Sequence, residues 1–232
     1  MRVADKISKI LVDNNIEDIF MVTGGAAMHL NDAFTRNKNL KTTFFHNEQA
    51  CVMAAEAYAR IKGKPAVVSV TAGPGGANTL NGIFGAWTDS IPVIVISGQV
   101  RTNTLNKNKK LRQLGDQEID IIKIMTSLTK YSRLIKSSDN IEYIFNKAIN
   151  LSLTGRMGPV WLDVPIDIQG KEYAEKKNLD VLVTKSLKTQ NNFKKLDTLM
   201  TKLQKSKRPV ILAGNGIPVS YTHLTLPTKR IV

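Results

Sequence analysis

A carboxyl group at a strand-to-helix junction is the first feature of this sequence that could perform chemistry. Glu48 follows a β-rich run that ends at His46, and it opens a stretch rich in Ala and Met that continues to Arg60. Asn47 is placed to cap that helix through its side-chain oxygen. A first-turn Glu is also stabilised by the helix dipole, by roughly 0.3–1 kcal/mol, so a purely structural role is the simpler alternative. A functional Glu48 would point into a cleft at a strand end and meet a ligand.

Two glycine-rich turns follow apolar runs and are candidates for close approach to a ligand. The first is TGG at 23–25, and the second is TAGPGGAN at 71–78. Glycine lets a backbone adopt positive φ or come near a bound molecule. Neither turn matches the dinucleotide-binding GxGxxG fingerprint or a phosphate-binding P-loop. Each turn taken alone is therefore compatible with a structural role.

The elements that would position these residues alternate along the chain. Strands are predicted at 18–22, 41–45, 65–71, 92–97, 128–135 and 160–164, and helices at 3–14, 26–35, 48–60, 77–88, 117–125 and 139–153. Because the inner strands are apolar throughout, the pattern predicts an α/β domain, a doubly wound parallel sheet with helices on both faces. Ligands bind such sheets at the carboxyl ends of the strands, where Glu48 and both glycine turns gather.

A second unit is predicted after a linker. Residues 1–169 are expected to form the first domain, and the charged, weakly patterned stretch 170–190 is expected to be a linker. Residues 191–218 contain an amphipathic helix and an apolar strand, which predicts the start of a second α/β domain. Residues 219–232 resemble the translation of a transposase sequencing adapter. We treat them as an artefact and expect the natural protein to continue past Pro218.

The amino-acid composition limits the classes of protein to which this chain is expected to belong. The 232 residues are 42% hydrophobic and 22% charged, as in soluble globular proteins, and the apolar runs are too short to span a bilayer. With no secretory leader expected and a single cysteine, Cys51, we expect a cytoplasmic location. The net charge of +14 raises nucleic acid as a partner, but the lysine clusters lack interleaved aromatics and no nucleic-acid-binding signature is found. We therefore predict neither a nucleic-acid nor a membrane partner.

Five segments carry a resemblance to a known family through their order and spacing. They are TGGAAMHLNDAF (23–34), FHNEQACVMAAEAYAR (45–60), SVTAGPGGANTLNGIFGAWTDSIPVIVISGQV (69–100), LGDQEIDI (114–121) and GPVWLDVPIDIQG (158–170). Together they closely resemble the N-terminal, pyrimidine-binding domain of thiamine-diphosphate enzymes of the acetolactate synthase type. RPVILAGNGI (208–217) resembles the opening of the central domain of these enzymes. The resemblance covers essentially residues 1–218.

The resemblance implies a role for each candidate residue. The matching glutamate of the family hydrogen-bonds the aminopyrimidine ring nitrogen and helps to activate thiazolium C2, so Glu48 is predicted to be catalytic. Gln117 matches a glutamine that reaches toward the reacting carbon, which implies catalytic and substrate contacts. His46 either faces the substrate or is packed at the strand end. The implied cofactor-binding residues, besides Glu48, are Thr23, Gly24, Gly25, Thr71, Gly73, Pro74 and Asn78. No metal ligand is predicted in this sequence.

The resemblance also implies a reaction and partners. Acetolactate synthases use thiamine diphosphate to add a 2-oxo acid such as pyruvate, release CO2 and join the remaining fragment to a second carbonyl. The family's active site forms between two subunits, and Mg2+ binds through a C-terminal domain whose GDG-to-Asn motif is absent here. FAD is allowed as a further cofactor. The 232-residue chain by itself is therefore expected to bind thiamine diphosphate weakly and not to turn over.

Two departures from the family pattern keep other functions open. Thr23 stands where the family has a proline before the two glycines, and Asn47 stands directly before Glu48, where the family has a histidine. The first alternative is a thiamine-diphosphate-dependent decarboxylase or C–C hydrolase of a modified sugar or cyclic ketone. The second, from another class, is a basic non-catalytic binding module.

Overall fold

A six-stranded parallel sheet organises the part of the chain that the computed structural model describes, residues 1–106, 111–136, 140–174 and 193–210. The strands are β1 (Asp18–Met21), β2 (Lys41–Phe44), β3 (Ala66–Val70), β4 (Val93–Gln99), β5 (Tyr131–Leu134) and β6 (Val160–Pro165). Their spatial order is β2-β1-β3-β4-β6-β5, and every neighbouring pair is parallel. The chain reverses its direction across the sheet between β1 and β3, which opens a crevice at their carboxyl ends.

Helices cover both faces of the sheet. In the first unit they are α1 (Val3–Asp13), α2 (Met28–Arg36), α3 (Glu48–Lys62), α4 (Pro74–Ala77), α5 (Leu80–Thr88), α6 (Ile121–Met125), α7 (Ile141–Leu153) and α8 (Ile166–Gly170). On one face α1, α2 and α7 bury Leu11, Phe34 and Phe145 against the sheet. On the other face α3, α5 and α6 pack around Val52 and Trp161. β3, β4 and β6 are buried at every position, as expected for strands covered on both sides. The predicted doubly wound α/β fold is confirmed.

Two local predictions were wrong near the carboxyl ends of the strands. The helix predicted at 77–88 begins later, as α5 at Leu80, and the short helix α4 forms within the glycine-rich turn at 71–78. Between them the Thr79 N–H and hydroxyl both donate to the Gly76 carbonyl, at 3.2 and 2.6 Å. The helix predicted to begin near 117 begins at Ile121. Asp120 caps it by accepting a hydrogen bond from the Lys123 N–H at 3.1 Å, and Gln117 lies in the preceding loop.

The chain divides into two compact units, residues 1–182 and 183–232. In the first unit, residues 171–173 return to the N-terminus, where the Val3 N–H donates to Lys171 O and the Tyr173 N–H donates to Met1 O. In the second unit, α9 (Phe193–Lys205) lies within the helix predicted there. Most of the predicted linker, half of the strand predicted at 208–213 and the adapter-like tail lie outside the described residues. Among those described, no helix is both long and apolar enough to cross a membrane.

Candidate functional site

Glu48 is the first residue of α3, and its side chain lies against the glycine-rich turn after β3. The predicted cap is confirmed, since Asn47 Oδ1 accepts a hydrogen bond from the Ala50 N–H at 3.0 Å. Asn78 Nδ2 donates to Glu48 Oε2 at 3.1 Å. Glu48 Oε1 lies 3.7 Å from the place where a Cβ atom of Gly75 would be. Glu48 is half-buried as a residue, and its carboxyl group lies at the predicted turn, where its hydrogen bond with Asn78 is open to solvent.

Thr71 joins the two glycine turns. A Cβ atom at Gly24 would lie 2.4 Å from Thr71 Cβ, and one at Gly75 would lie 2.7 Å from Thr71 Cγ2. The Ala26 N–H donates to Thr71 Oγ1 at 3.2 Å. The turns after β1 and β3 therefore meet around one threonine side chain, and Gly24 is needed there because any larger residue would overlap it.

Gly73 brings the second turn into contact with Gln117. Gly73 has φ of +60°, and a Cβ atom there would lie 2.2 Å from the Gln117 backbone oxygen. Gln117 itself has φ of +56°, which is uncommon for a residue other than glycine. Such conformations persist where the surrounding structure holds them, and they are frequent at functional sites.

A cavity of about 570 Å³ lies beside Thr71, at the crevice between β1 and β3. Four of the predicted site residues line it: Gly24, Gly25, Thr71 and Gln117. Gly73 contacts the lining residue Gln117, while Glu48 and its partner Asn78 lie one residue further away, against Gly75 beside Thr71. The last three, Thr23, His46 and Pro74, are exposed, and none of them lines the cavity. The roles assigned to these residues stay predictions.

Arg101 is a lining residue that the sequence analysis missed. Of the described residues around this cavity, Arg101 is the cationic one and Asp116 the anionic one. The Arg101 backbone is fixed, because its carbonyl accepts from the Thr104 N–H at 2.9 Å and from the Thr104 hydroxyl at 3.0 Å. No ion pair joins Arg101 to an acidic side chain within the described ranges. Its place in a polar loop gave no signal in the sequence.

Asp163 is a second residue that the sequence analysis missed. It is 1% exposed, and it accepts hydrogen bonds from Ser97 Oγ at 2.6 Å and Gln99 Nε2 at 2.8 Å. Burial raises the pKa of Asp163 to about 7, against the lowering effect of these two hydrogen bonds. Asp163 and Gln99 border another cavity, of about 740 Å³. The sequence did contain a signal for this residue, namely an acidic residue within an otherwise apolar strand. Carboxylates without a partner are rarely buried, so such a residue is expected to have a specific role.

Other reactive groups near the site have structural explanations. Cys51 is buried, and burial, together with the nearby Glu48 carboxylate, raises the pKa of its thiol to about 12. A thiol with so high a pKa is a poor nucleophile at neutral pH. Within the described residues no group of three or more His, Cys, Asp or Glu is placed to hold a metal ion.

Comparison with known proteins identifies the class to which this fold and site belong. Residues 1–124 match the family model described as the N-terminal TPP binding domain of thiamine pyrophosphate enzymes. The chain belongs to this family, which confirms the relationship predicted from its motifs.

Acetolactate synthases are among the known proteins to which the chain is similar. The chain is 35% identical over 218 residues to the large subunit of Buchnera aphidicola subsp. Acyrthosiphon pisum and 34% identical over 215 residues to that of Lactococcus lactis subsp. lactis. It is 32% identical over 217 residues to the chloroplastic enzyme of Arabidopsis thaliana. Each alignment covers 92% of this chain but only 37%, 36% and 31% of the respective relative. The chain therefore spans about a third of the length of these relatives.

Proposed function

We propose that this chain is the pyrimidine-binding part of a thiamine-diphosphate-dependent carboligase of the acetolactate synthase type, which joins two 2-oxo acids with loss of CO2. The observation that carries the proposal is the position of Glu48, hydrogen-bonded to Asn78 and lying against Gly75 at the crevice. The acetolactate synthases to which the chain is similar support the reaction class.

The residues at the crevice fit an aminopyrimidine ring. Such a ring is flat and carries hydrogen-bond donors and acceptors along its edge. Glu48, Asn78 and Thr71 supply a carboxyl, an amide and a hydroxyl, while Gly24 and Gly25 present backbone without side chains. Bound thiamine diphosphate supplies a nucleophilic carbon and then accepts the electrons released when CO2 leaves the 2-oxo acid.

Glu48 would hold and exchange a proton at its free carboxyl oxygen. Asn78 donates a hydrogen bond to Oε2 of Glu48, and the described residues donate none to Oε1 of Glu48. The start of α3 fixes the carboxyl group in place, because Asn47 anchors the first helical turn beneath it. A general acid–base group held in this way typically contributes about 100- to 10,000-fold to a rate.

The cavity near Glu48 offers a cation for a 2-oxo acid substrate, although its lining also contains the carboxylate of Asp116. The carboxylate of the substrate needs a cation, and Arg101 lines the cavity together with Gln117. A guanidinium group binds carboxylates with paired N–H donors. We assign substrate binding to this cavity on that basis.

We further propose a homo-oligomer with an active site between subunits. The α5 surface supports this, because Leu80, Phe84 and Trp87 recur on one face of the helix and are 39%, 55% and 38% exposed. Magnesium, and FAD if it is used, are assigned to parts of the full-length protein outside the described residues. The proposed location is the cytoplasm. Flavin absorbance and metal content of the purified full-length protein test these assignments.

The two departures from the family pattern give little support to other chemistry. The Asn47 side chain caps α3, so a structural role explains why asparagine stands at this position. Thr23 is exposed and lies outside the cavity lining. An assay of the full-length protein for acetolactate from pyruvate distinguishes the proposed carboligase from a decarboxylase or hydrolase of another ketone. A salt-sensitive complex with DNA would favour the binding module instead.

The variant Glu48→Gln tests the proposed role most directly. In the full-length enzyme that carries this chain, we expect the exchange rate of the thiamine C2 proton, measured by NMR, to fall about 100-fold or more. Glu56→Gln is the matched control, because Glu56 lies on the same helix but pairs with Arg60 away from the crevice. Wild-type exchange in Glu48→Gln, with the cofactor still bound, would remove the proposed role. The 232-residue chain alone is expected to show no turnover.

A further inference from the structure

A buried hydrogen-bond relay joins β6 to β4 and reaches the carboxyl end of β4 at Gln99. Trp161 Nε1 donates to Ser97 Oγ at 2.8 Å, and Ser97 Oγ donates to Asp163 Oδ1 at 2.6 Å. Gln99 Nε2 donates to Asp163 Oδ2 at 2.8 Å and also to the backbone oxygen of Ile119 at 3.2 Å. The relay therefore links the sheet to the loop that contains Gln117, two residues before Ile119.

The direction of these hydrogen bonds is fixed by groups that can only donate. The indole N–H of Trp161 cannot accept, so Ser97 Oγ accepts from it and donates its own proton to Asp163. The Val100 N–H donates to Gln99 Oε1 at 2.9 Å, which turns the amide nitrogen of Gln99 toward Asp163 and Ile119. The Gln99 amide nitrogen can only donate, so Asp163 Oδ2 accepts from it, and Asp163 Oδ1 accepts from Ser97 when the carboxyl group is ionised.

The loop at 115–120 forms the wall between the two cavities. Asp116 and Gln117 line the cavity of about 570 Å³, whereas Glu118, Ile119 and Asp120 line the cavity of about 740 Å³. Its course is held in two ways. The Glu118 carboxylate accepts backbone hydrogen bonds from Asn106, Leu114 and Gly115, and Gln99 holds the Ile119 carbonyl from the side of the sheet.

We propose that Gln99 is a positioning residue, which holds the Ile119 carbonyl so that Gln117 keeps its left-handed conformation against Gly73 and faces the substrate cavity. Asp163 orients Gln99 for this task. The effect on catalysis rests on the proposed function. The claim that Gln99 holds the loop does not, because it follows from the hydrogen bonds themselves. Without the Gln99 contact, Gln117 would be free to leave a disfavoured φ and the loop would move away from Gly73.

Hydrogen–deuterium exchange of the 232-residue chain tests the positioning directly. Gln99→Met keeps the length of the side chain but removes its donors, and we expect exchange in a peptide covering residues 112–121 to rise about tenfold. Ser97→Ala is the matched control. It breaks the same buried relay at Trp161 and Asp163 but leaves the Gln99–Ile119 bond, so exchange in that peptide should change little.

A second substitution protects the test against misfolding of Gln99→Met. Asp163→Leu keeps the approximate size of the side chain but removes the oxygen that accepts from Gln99, and it should also raise exchange at residues 112–121. Unchanged exchange in the folded Gln99 and Asp163 variants would overturn the proposal. An equal rise in Ser97→Ala would also overturn it, because that outcome indicates general loosening of the core.

Kinetics of the full-length enzyme test the catalytic consequence separately. If Gln99 acts through Gln117, then Gln117→Ala should lower kcat/KM in the wild type but have a much smaller effect when Gln99 is already Met. In the Ser97→Ala background the effect of Gln117→Ala should be unchanged. Additive effects of the Gln99 and Gln117 substitutions would refute the coupling. Full activity of Gln117→Ala would instead refute the proposed role of Gln117 in catalysis. The exchange experiment would still test whether Gln99 holds the loop.

Discussion

Replacing Gly73 with alanine tests the contact between the turn after β3 and the Gln117 loop. Gly73 has φ of +60° and ψ of −119°, a conformation that residues with a Cβ atom rarely adopt. The new Cβ atom would also lie 2.2 Å from the Gln117 backbone oxygen. A backbone atom cannot turn aside as a flexible side chain can, so the turn or the loop must shift.

The expected cost combines two effects. A sparsely populated backbone conformation costs about 1–3 kcal/mol, and forcing an extra methyl group into a packed site costs a further 1–3 kcal/mol, roughly. We therefore expect Gly73→Ala to lower the free energy of unfolding by about 4 kcal/mol. This is a large share of the roughly 5–15 kcal/mol that stabilises a typical domain.

Three other glycines in the same chain separate the two effects. Gly63 has φ of +63° and open space around its Cβ position, so Gly63→Ala should cost only about 1 kcal/mol of backbone strain. Gly24 has an extended backbone but would overlap Thr71, so Gly24→Ala should show the overlap alone, about 1–3 kcal/mol. Gly25 has neither constraint, and its substitution should change stability by less than about 0.5 kcal/mol.

Urea unfolding of the 232-residue chain, followed by circular dichroism, measures this series. The transition midpoint should fall in the order Gly25→Ala, Gly63→Ala and Gly73→Ala, with similar slopes. If Gly73→Ala unfolds at the same urea concentration as Gly63→Ala, the close approach of Gln117 is wrong. A Gly25→Ala variant as unstable as Gly73→Ala would refute the reasoning from local geometry altogether.

Three further predictions concern groups around the site. Burial raises the pKa of Asp163 from 3.8 to about 7, so its contribution to stability is complete below about pH 4 and is lost as the pH rises to about 7. Carboxyl groups with a lowered pKa, such as Asp5 and Glu118, act in the opposite direction, so the decline should appear in the difference in unfolding free energy between the wild type and Asp163→Asn, measured in urea at each pH. Cys51 should resist alkylation at pH 8 in the native chain and react after unfolding in urea, since burial raises its pKa to about 12, and rapid native labelling would contradict this. Asn47→Ala should lower the free energy of unfolding by about 1 kcal/mol through loss of the Ala50 hydrogen bond, and an unchanged midpoint would show that the cap is not formed.

The sequence itself determined the local features of this protein. The alternation of apolar strands with amphipathic helices predicted the parallel sheet, because each strand and helix is recognisable within a window of about 4–15 residues. Asn47 as a cap and Glu48 in the first turn of α3 followed from the same short-range rules. The family resemblance also depended only on segments, their order and their spacing.

The tertiary structure alone decided which of these segments touch. Thr71 meets Gly24, Gly73 meets Gln117, and Gln99 meets Asp163, yet the members of each pair are more than ten residues apart in the chain. Local propensity even predicted a helix at Gln117, where contact with Gly73 and the hydrogen bonds of the neighbouring residues Glu118 and Ile119 maintain a left-handed loop residue instead. A residue's own preferences are worth about 1 kcal/mol, so contacts of this kind override them, and those contacts exist only once the sheet has brought its strand ends together.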